Sequence, residues 1–247
     1  MVAVMPDRVG ERVRRVRNLM ESARARSPIA MHARPVVLVA ATKGASLALV
    51  QEAIDAGVDA IGENRLQELV EKFGDWRPPV PCHFIGRLQR NKVKLALQRC
   101  DMIQSVDSLP LAEAIHARHV ELGAQPGSPP SGRRRPILVQ VNVGGEATKG
   151  GFSPEALESA VERMAQWPGL AVEGLMTIPP YTADPQEARP YFRRLRLLAE
   201  RIAERRFAGV SMATLSMGMS HDFEVAIEEG STMVRIGTAL FGPRNVE

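Results

Sequence analysis

A lysine follows the first strongly apolar segment of the chain. Residues 36–41 read Val-Val-Leu-Val-Ala-Ala, and Lys43 comes directly after Thr42. In a β/α barrel, side chains at the C-terminal ends of strands line the active-site face. An amine partly withdrawn from water there has a lowered pKa and can form a Schiff base with an aldehyde. Position alone also allows an ordinary solvated or ion-paired lysine, so Lys43 is a candidate nucleophile.

Two turns rich in small residues lie near the end of the chain, each directly after a short apolar run. The first is Leu215–Phe223, and the second is Met233–Gly242, which contains Gly237 and Thr238. Backbone N–H groups at such turns bind phosphate, and β/α barrels frequently hold a phosphate at their last two strand-to-helix loops. The turns therefore predict a phosphate site, although packing alone also accounts for glycines at these positions.

Arg235 lies beside this predicted phosphate site. It is placed to pair with the phosphate, to donate to a ring nitrogen of a ligand, or to form a structural salt bridge. Because arginine does not readily give up its proton, a ring nitrogen facing it would stay unprotonated.

Other predicted strand ends carry further candidates for a binding site. Asn64 follows the second apolar run, where it would serve equally well as the N-cap of a helix. His83 lies within the third run, and a hydrogen-bonded core histidine is the alternative interpretation. Met176 ends the sixth run.

Eight short apolar runs alternate with helix-like segments along the chain. Such alternation favours a parallel sheet with helical crossovers, and 247 residues is close to the length of about 250 typical of a β/α barrel. The predicted strands are Val36–Ala41, Val58–Ile61, Cys82–Ile85, Met102–Ser105, Ile137–Val143, Leu170–Met176, Ala213–Ser216 and Met233–Ile236. The sequence thus predicts a single (β/α)8 TIM-type barrel domain over residues 1–247.

Two segments lie outside this alternation. Residues Arg8–Arg26 carry apolar side chains at spacings of three and four, which predicts an extra N-terminal helix. Residues Gly123–Pro136 are rich in glycine, proline, serine and arginine, which predicts a surface loop before the fifth strand.

Composition narrows the classes of function. The formal charge is only +4, from 32 basic and 28 acidic residues, and the arginines are spread over helix-like faces, so no nucleic-acid partner is predicted. Cys82 and Cys100 are too far apart for a metal-binding pair, so no metal is predicted. No apolar run approaches the ~18 residues of a membrane span, and no signal segment is evident, so we expect a cytoplasmic protein.

An ordered set of motifs resembles the pyridoxal 5′-phosphate (PLP) homeostasis protein family. The matching segments run almost from end to end. They are Leu38-Val-Ala-Ala-Thr-Lys43, Ile61-Gly-Glu-Asn-Arg65, His83-Phe-Ile-Gly86, Leu88-Gln89, Asn91-Lys92, Val141-Asn142, Lys149-Gly150, Gly174-Leu-Met-Thr177, Ser216-Met-Gly-Met-Ser220 and Val234-Arg-Ile-Gly-Thr238. Each motif alone is weak, but the ordered set is highly specific.

The resemblance implies a barrel similar to the N-terminal domain of alanine racemase, with PLP held as a lysine aldimine. By position it assigns roles to eight residues, none of them catalytic. Lys43 would bear the aldimine, Ser216, Gly237 and Thr238 would hold the phosphate, Arg235 would face the pyridine nitrogen, and Asn64, His83 and Met176 would line the cofactor.

The function implied by the resemblance is PLP homeostasis and amino- and keto-acid balance, without established turnover. We expect a monomer that passes PLP to PLP-dependent apoenzymes. The alternative is a PLP-dependent amino-acid racemase, which needs a second acid/base group opposite the lysine. Of the two tyrosines, Tyr181 follows the sixth strand but is not an obvious match to that role. A Schiff-base aldolase is less well supported, because it would not need Arg235.

Overall fold

Eight parallel strands form a closed barrel in chain order, with the last strand hydrogen-bonded to the first. The computed structural model describes residues 8–29, 35–123, 134–146 and 149–243. The strands are β1 (Val37–Ala41), β2 (Ala60–Glu63), β3 (Cys82–Phe84), β4 (Met102–Val106), β5 (Arg135–Gln140), β6 (Leu170–Met176), β7 (Val210–Ser216) and β8 (Met233–Ile236). The predicted (β/α)8 fold is therefore confirmed, with every strand near its predicted position.

Helices surround the barrel, and each strand is followed by one. They are α1 (Val9–Arg26), α2 (Leu47–Asp55), α3 (Leu66–Phe73), α4 (Val93–Arg99), α5 (Leu109–Gly123), α6 (Leu157–Ala165), α7 (Arg189–Glu204), α8 (Phe223–Glu228) and α9 (Thr238–Phe241). Two short 3-10 helices precede α4 and α7, at Arg90–Lys92 and Pro185–Ala188. Among the described residues, no helix has the length and apolar character needed to cross a bilayer.

The predicted extra helix α1 covers the outside of the barrel where β8 meets β1. Its buried face includes Val13, Val16 and Met20 and packs with Leu38 of β1 and Val234 of β8. The helix that follows β8, α9, has only four residues and cannot cover this seam. The N-terminal helix therefore shields apolar strand faces that would otherwise meet water.

The barrel interior has an apolar layer and, nearer the C-terminal ends of the strands, a polar layer. Because side chains alternate along a strand, Val234 of β8 faces the helices and its neighbours Met233 and Arg235 face inward. Met233 packs against Val39 and Ala60. The inward polar residues lie nearer the C-terminal strand ends, where barrel active sites are found.

The fifth strand differs from its predicted bounds for a local reason. It begins at Arg135, whose guanidinium donates to the carbonyl groups of Leu97 and Cys100 at the end of α4. It ends at Gln140, and Val141 forms an isolated bridge with Phe152 while its N–H still donates to the Met176 carbonyl at 2.8 Å. Of the loop predicted at Gly123–Pro136, residues 124–133 lie outside the described part of the chain.

Candidate functional site

Lys43 occupies a tight turn at the C-terminal end of β1. The Ala45 N–H donates to the Thr42 carbonyl at 3.0 Å, and Gly44 has φ +73°. A hydrogen bond between the first and fourth residues, with positive φ only at the third, defines a type II turn. Glycine is favoured at that third position because other residues avoid positive φ. Lys43 is thus the second residue of the turn, half-buried on the face predicted for the site.

The second of the two predicted turns reaches the end of β1. A Cβ built on Gly237 would lie 3.3 Å from the carbonyl oxygen of Ala41, so the Gly237 backbone runs close against β1. Arg235 and Val39 are register partners in the adjacent strands β8 and β1. The fold therefore places Gly237 and the Lys43 turn on neighbouring loops, as the sequence predicts for a shared site.

The two predicted C-terminal turns also join each other. The Arg235 N–H donates to the Gly218 carbonyl at 3.0 Å. The hydroxyl of Ser220 accepts hydrogen bonds from the N–H groups of Gly237 at 3.3 Å and Ala239 at 3.1 Å. These N–H groups converge on one oxygen atom, and an anionic oxygen would satisfy them equally well. Ser220 was not singled out in the sequence analysis, although it belongs to the motif that pointed to this turn.

Ser216 lies elsewhere, inside the barrel. Its side chain is fully buried, accepts a hydrogen bond from Arg235 Nη1 at 2.6 Å, and donates one to Gln104 Oε1 at 2.7 Å. A serine hydroxyl has one proton, and here that proton is used in the hydrogen bond to Gln104 Oε1. In this arrangement Ser216 has no proton left for a phosphate, whereas Thr238 is exposed beside Gly237.

Four side chains form a hydrogen-bonded chain across the barrel: Arg235, Ser216, Gln104 and His83. Gln104 completes it, with Nε2 lying 2.8 Å from His83 Nδ1. Arg235 can only donate, so Ser216 accepts from it. Ser216 donates to Gln104 Oε1, and Gln104 Nε2, an amide nitrogen that can only donate, donates to His83 Nδ1. The proton of His83 is therefore on Nε2.

Burial sets the charge states at the two ends of this chain. It lowers the pKa of His83 to about 4, against a small opposing effect of Asp101, so the imidazole is neutral at pH 7. Burial also lowers the pKa of Arg235 to about 10, and the carboxyl of Asp222 opposes this change. The guanidinium thus remains charged at neutral pH, and its Nη2 donates to the Thr177 carbonyl at 2.8 Å.

Asn64 and Met176 complete the predicted set. Asn64 directly follows β2, and its Oδ1 is buried without a hydrogen-bond partner among the described residues. An unpaired buried amide oxygen is costly, so this atom is suited to a donor group on a ligand. Its backbone is pressed against Gly86, where an added Cβ would lie 2.0 Å from the Asn64 carbonyl oxygen. Met176 is fully buried and packs with Met102 and Leu138.

Comparisons with known proteins agree with this architecture. Residues 11–245 match the family of the alanine racemase N-terminal domain. The pyridoxal phosphate homeostasis protein of Aquifex aeolicus (strain VF5) is 44% identical over 208 residues, which cover 84% of this chain and 86% of the relative. An alanine racemase of Clostridium difficile 630 shares the fold, with 16% identity and a TM-score of 0.70 over 96% of this chain and 57% of that chain.

A solved structure with a ligand extends these similarities. PipY of Synechococcus elongatus PCC7942, with PLP bound, is 30% identical, has a TM-score of 0.77, and is matched over 95% of this chain and 100% of its own. The match to the alanine racemase N-terminal domain family and the identity to the Aquifex protein both extend over more than four-fifths of the chain. The chain therefore belongs to the pyridoxal phosphate homeostasis proteins, whose barrel is that of the alanine racemase N-terminal domain.

Proposed function

We propose that this chain binds PLP as a Schiff base with Lys43 and holds cytoplasmic PLP for PLP-dependent apoenzymes. The observation that carries the proposal is the position of the Gly237 and Ala239 N–H groups. They converge on one oxygen, that of Ser220, and Gly237 lies against Ala41, two residues before Lys43. An amine and an anion-binding loop are therefore neighbours, which is what an aldehyde that carries a phosphate requires.

The remaining polar residues fit the other groups of PLP. Arg235 is a charged donor in the barrel interior and is suited to the pyridine nitrogen, which it would keep unprotonated. Asn64 offers its unpaired Oδ1, and neutral His83 offers its Nε2–H. Bound PLP would supply the aldehyde that condenses with the Lys43 amine, releasing water. With an unprotonated ring nitrogen it is a weak electron sink, which suits holding the cofactor more than turnover.

We assign the phosphate to Gly237, Thr238 and Ser220, with Ser216 as support for Arg235. The assignment follows from the hydroxyl of Ser216, which already donates its one hydrogen bond to Gln104 Oε1. A Ser220→Ala variant should bind PLP more weakly than wild type. It should lose little stability without PLP, because the Gly237 and Ala239 N–H groups are only part-buried and water can replace the hydroxyl. Equal affinity of the two proteins would contradict the role given to Ser220.

The central test uses the visible absorption spectrum of purified protein after PLP is added and the excess removed. Wild type should keep a yellow Schiff-base band, and Lys43→Ala should lose it. Lys94→Ala is the matched control, because Lys94 is an exposed lysine on α4 and should leave the band unchanged. Borohydride reduction followed by peptide mass analysis should place the adduct on Lys43. A wild-type protein without the band would refute the proposal.

Delivery of PLP is tested separately with an apoenzyme. PLP-loaded wild type should restore the activity of a PLP-dependent apoenzyme, and the protein should sediment as a monomer throughout. Its role in amino- and keto-acid balance predicts altered pools of these acids in cells that lack it. No recovery of apoenzyme activity would argue against the carrier role.

The racemase alternative depends on a second acid/base group. Tyr181 is 83% exposed, and its ring lies 5.5 Å from that of His221 on the surface. That position gives no buried proton donor opposite Lys43. We therefore expect no racemisation of L-alanine by the PLP-loaded protein. Racemisation of L-alanine at enzyme-like rates would favour the racemase function over the carrier role.

A further inference from the structure

The turn that carries Lys43 is held by side chains of the next βα unit. Glu68 Oε1 on α3 accepts a hydrogen bond from the Gly44 N–H at 2.6 Å. Lys72 Nζ, one helical turn further on, donates to the Thr42 carbonyl at 2.6 Å. Glu68 and Lys72 also contact each other at 3.2 Å. The peptide groups on both sides of Lys43 are therefore bonded to one helix face.

The contact with Glu68 favours one orientation of the central peptide of this turn. Type I and type II turns differ mainly in the orientation of the central peptide, here the one that joins Lys43 to Gly44. The N–H of that peptide points to the Glu68 carboxylate. Burial raises the pKa of Glu68, but the Gly44 N–H and the Lys72 ammonium together lower it below its usual value. The carboxylate is thus ionised at neutral pH and favours the type II orientation.

Lys72 is itself held by Glu63, the last residue of β2. Glu63 is fully buried, and its Oε1 accepts from Lys72 Nζ at 2.7 Å and from the Thr42 hydroxyl at 2.5 Å. The Lys72 side chain is only 8% exposed. Both its amine and the backbone it holds are therefore fixed within the protein, as expected for groups whose hydrogen bonds are shielded from water.

We propose that Glu63, Glu68 and Lys72 form a positioning cluster that sets the backbone of Lys43 for covalent capture of PLP. None of the three is a catalytic residue, since each acts through the turn. The inference rests on the proposed function, because the capture it serves is the Schiff base at Lys43. A turn held in one orientation does not have to be ordered when the cofactor binds, and this lowers the cost of binding.

Glu68 is the best position for a test, because it is partly exposed and its side chain can be changed in two ways. In Glu68→Ala the Gly44 N–H loses its acceptor. In Glu68→Gln the amide oxygen can still accept from the Gly44 N–H, although the charge is gone. Glu71→Ala is the matched control, since Glu71 is an exposed glutamate on the same helix. All four proteins are compared by PLP dissociation constant, by Gly44 amide hydrogen exchange without PLP, and by thermal midpoint.

We expect Glu68→Ala to weaken PLP binding about tenfold, which corresponds to a productive turn populated about one-tenth of the time. Its Gly44 amide should exchange faster in the PLP-free protein, and its thermal midpoint should stay near that of Glu71→Ala. Glu68→Gln should recover most of the affinity and protection. This rescue separates positioning from a general loss of stability, which would lower the thermal midpoint and would not single out Gly44.

Two results would count against the inference, and they are distinguishable. If wild type retains PLP, and Glu68→Ala matches Glu71→Ala in affinity and in Gly44 exchange, the positioning cluster is refuted and PLP binding stands. If wild type retains no PLP, the proposed function fails first and the inference falls with it.

Discussion

Replacing Ser216 with alanine should destabilise the protein even when no PLP is bound. The substitution removes two buried hydrogen bonds, one from Arg235 Nη1 at 2.6 Å and one to Gln104 Oε1 at 2.7 Å. A bond to a charged group contributes about 1.5–3 kcal/mol and a neutral one about 0.5–1.5 kcal/mol, so the free energy of unfolding should fall by about 2–4 kcal/mol. For a chain of this length the thermal midpoint should fall by roughly 5–15 °C.

The assay is urea denaturation of PLP-free wild type, Ser216→Ala and Ser211→Ala, with unfolding monitored by circular dichroism. Ser211 lies exposed on the same strand, so its substitution should change the free energy of unfolding by no more than about 0.5 kcal/mol. The PLP-free state matters, because a serine that served only the phosphate would leave it unaffected. Equal stability of the two variants would therefore refute the buried chain from Arg235 to His83 and return Ser216 to the phosphate.

Three further predictions follow from buried groups near the site. Lys72→Met should lower the free energy of unfolding by about 3–5 kcal/mol, because Glu63 loses its ion partner in the interior. Adding Glu63→Gln to this variant should restore part of the lost stability in the same urea denaturation assay. Because the pKa of His83 is about 4 in the folded protein and about 6.5 in an unfolded chain, the unfolded chain binds the proton first as the pH falls. The free energy of unfolding should therefore be about 3 kcal/mol higher above pH 6.5 than near pH 4. In His83→Asn, the free energy of unfolding should depend less on pH over this range than it does in wild type. Gly86→Ala should cost roughly 1–3 kcal/mol and weaken PLP retention, because its Cβ would meet the Asn64 carbonyl at 2.0 Å; unchanged unfolding and binding would contradict that close contact.

Local sequence patterns were sufficient to predict the barrel and the loops that carry the site. Apolar runs such as Val36–Ala41 are short and lie between helix-like segments. Strands joined by helices pair in parallel, so this alternation predicts a parallel sheet. The alternation also predicted that Lys43 and Gly237 follow strands at the same end of the barrel. Strand ends were less accurate: β7 begins at Val210 and β5 at Arg135, where polar side chains interrupt the apolar pattern.

The pairing of polar side chains inside the barrel was beyond the reach of sequence reasoning. Gln104 lies in the fourth strand, Ser216 in the seventh and Arg235 in the eighth, and nothing in their spacing shows that they touch. The motif around Ser216 and Ser220 predicted a phosphate turn, yet a strand ends between them. The side chain of the first is therefore directed into the barrel, while that of the second meets the Gly237 loop.

Sequence alone thus determined the order of the elements, the family and the residues that reach the C-terminal face, since these depend on local propensity and on the chain order of motifs. Tertiary structure alone decided which donors meet which acceptors. The Lys43 turn is held by Glu68 and Lys72, residues 25 and 29 positions later, because α3 follows β2 and β2 pairs with β1. Hydrogen bonds depend on tenths of an ångström, and such distances are set by the packing of the whole barrel.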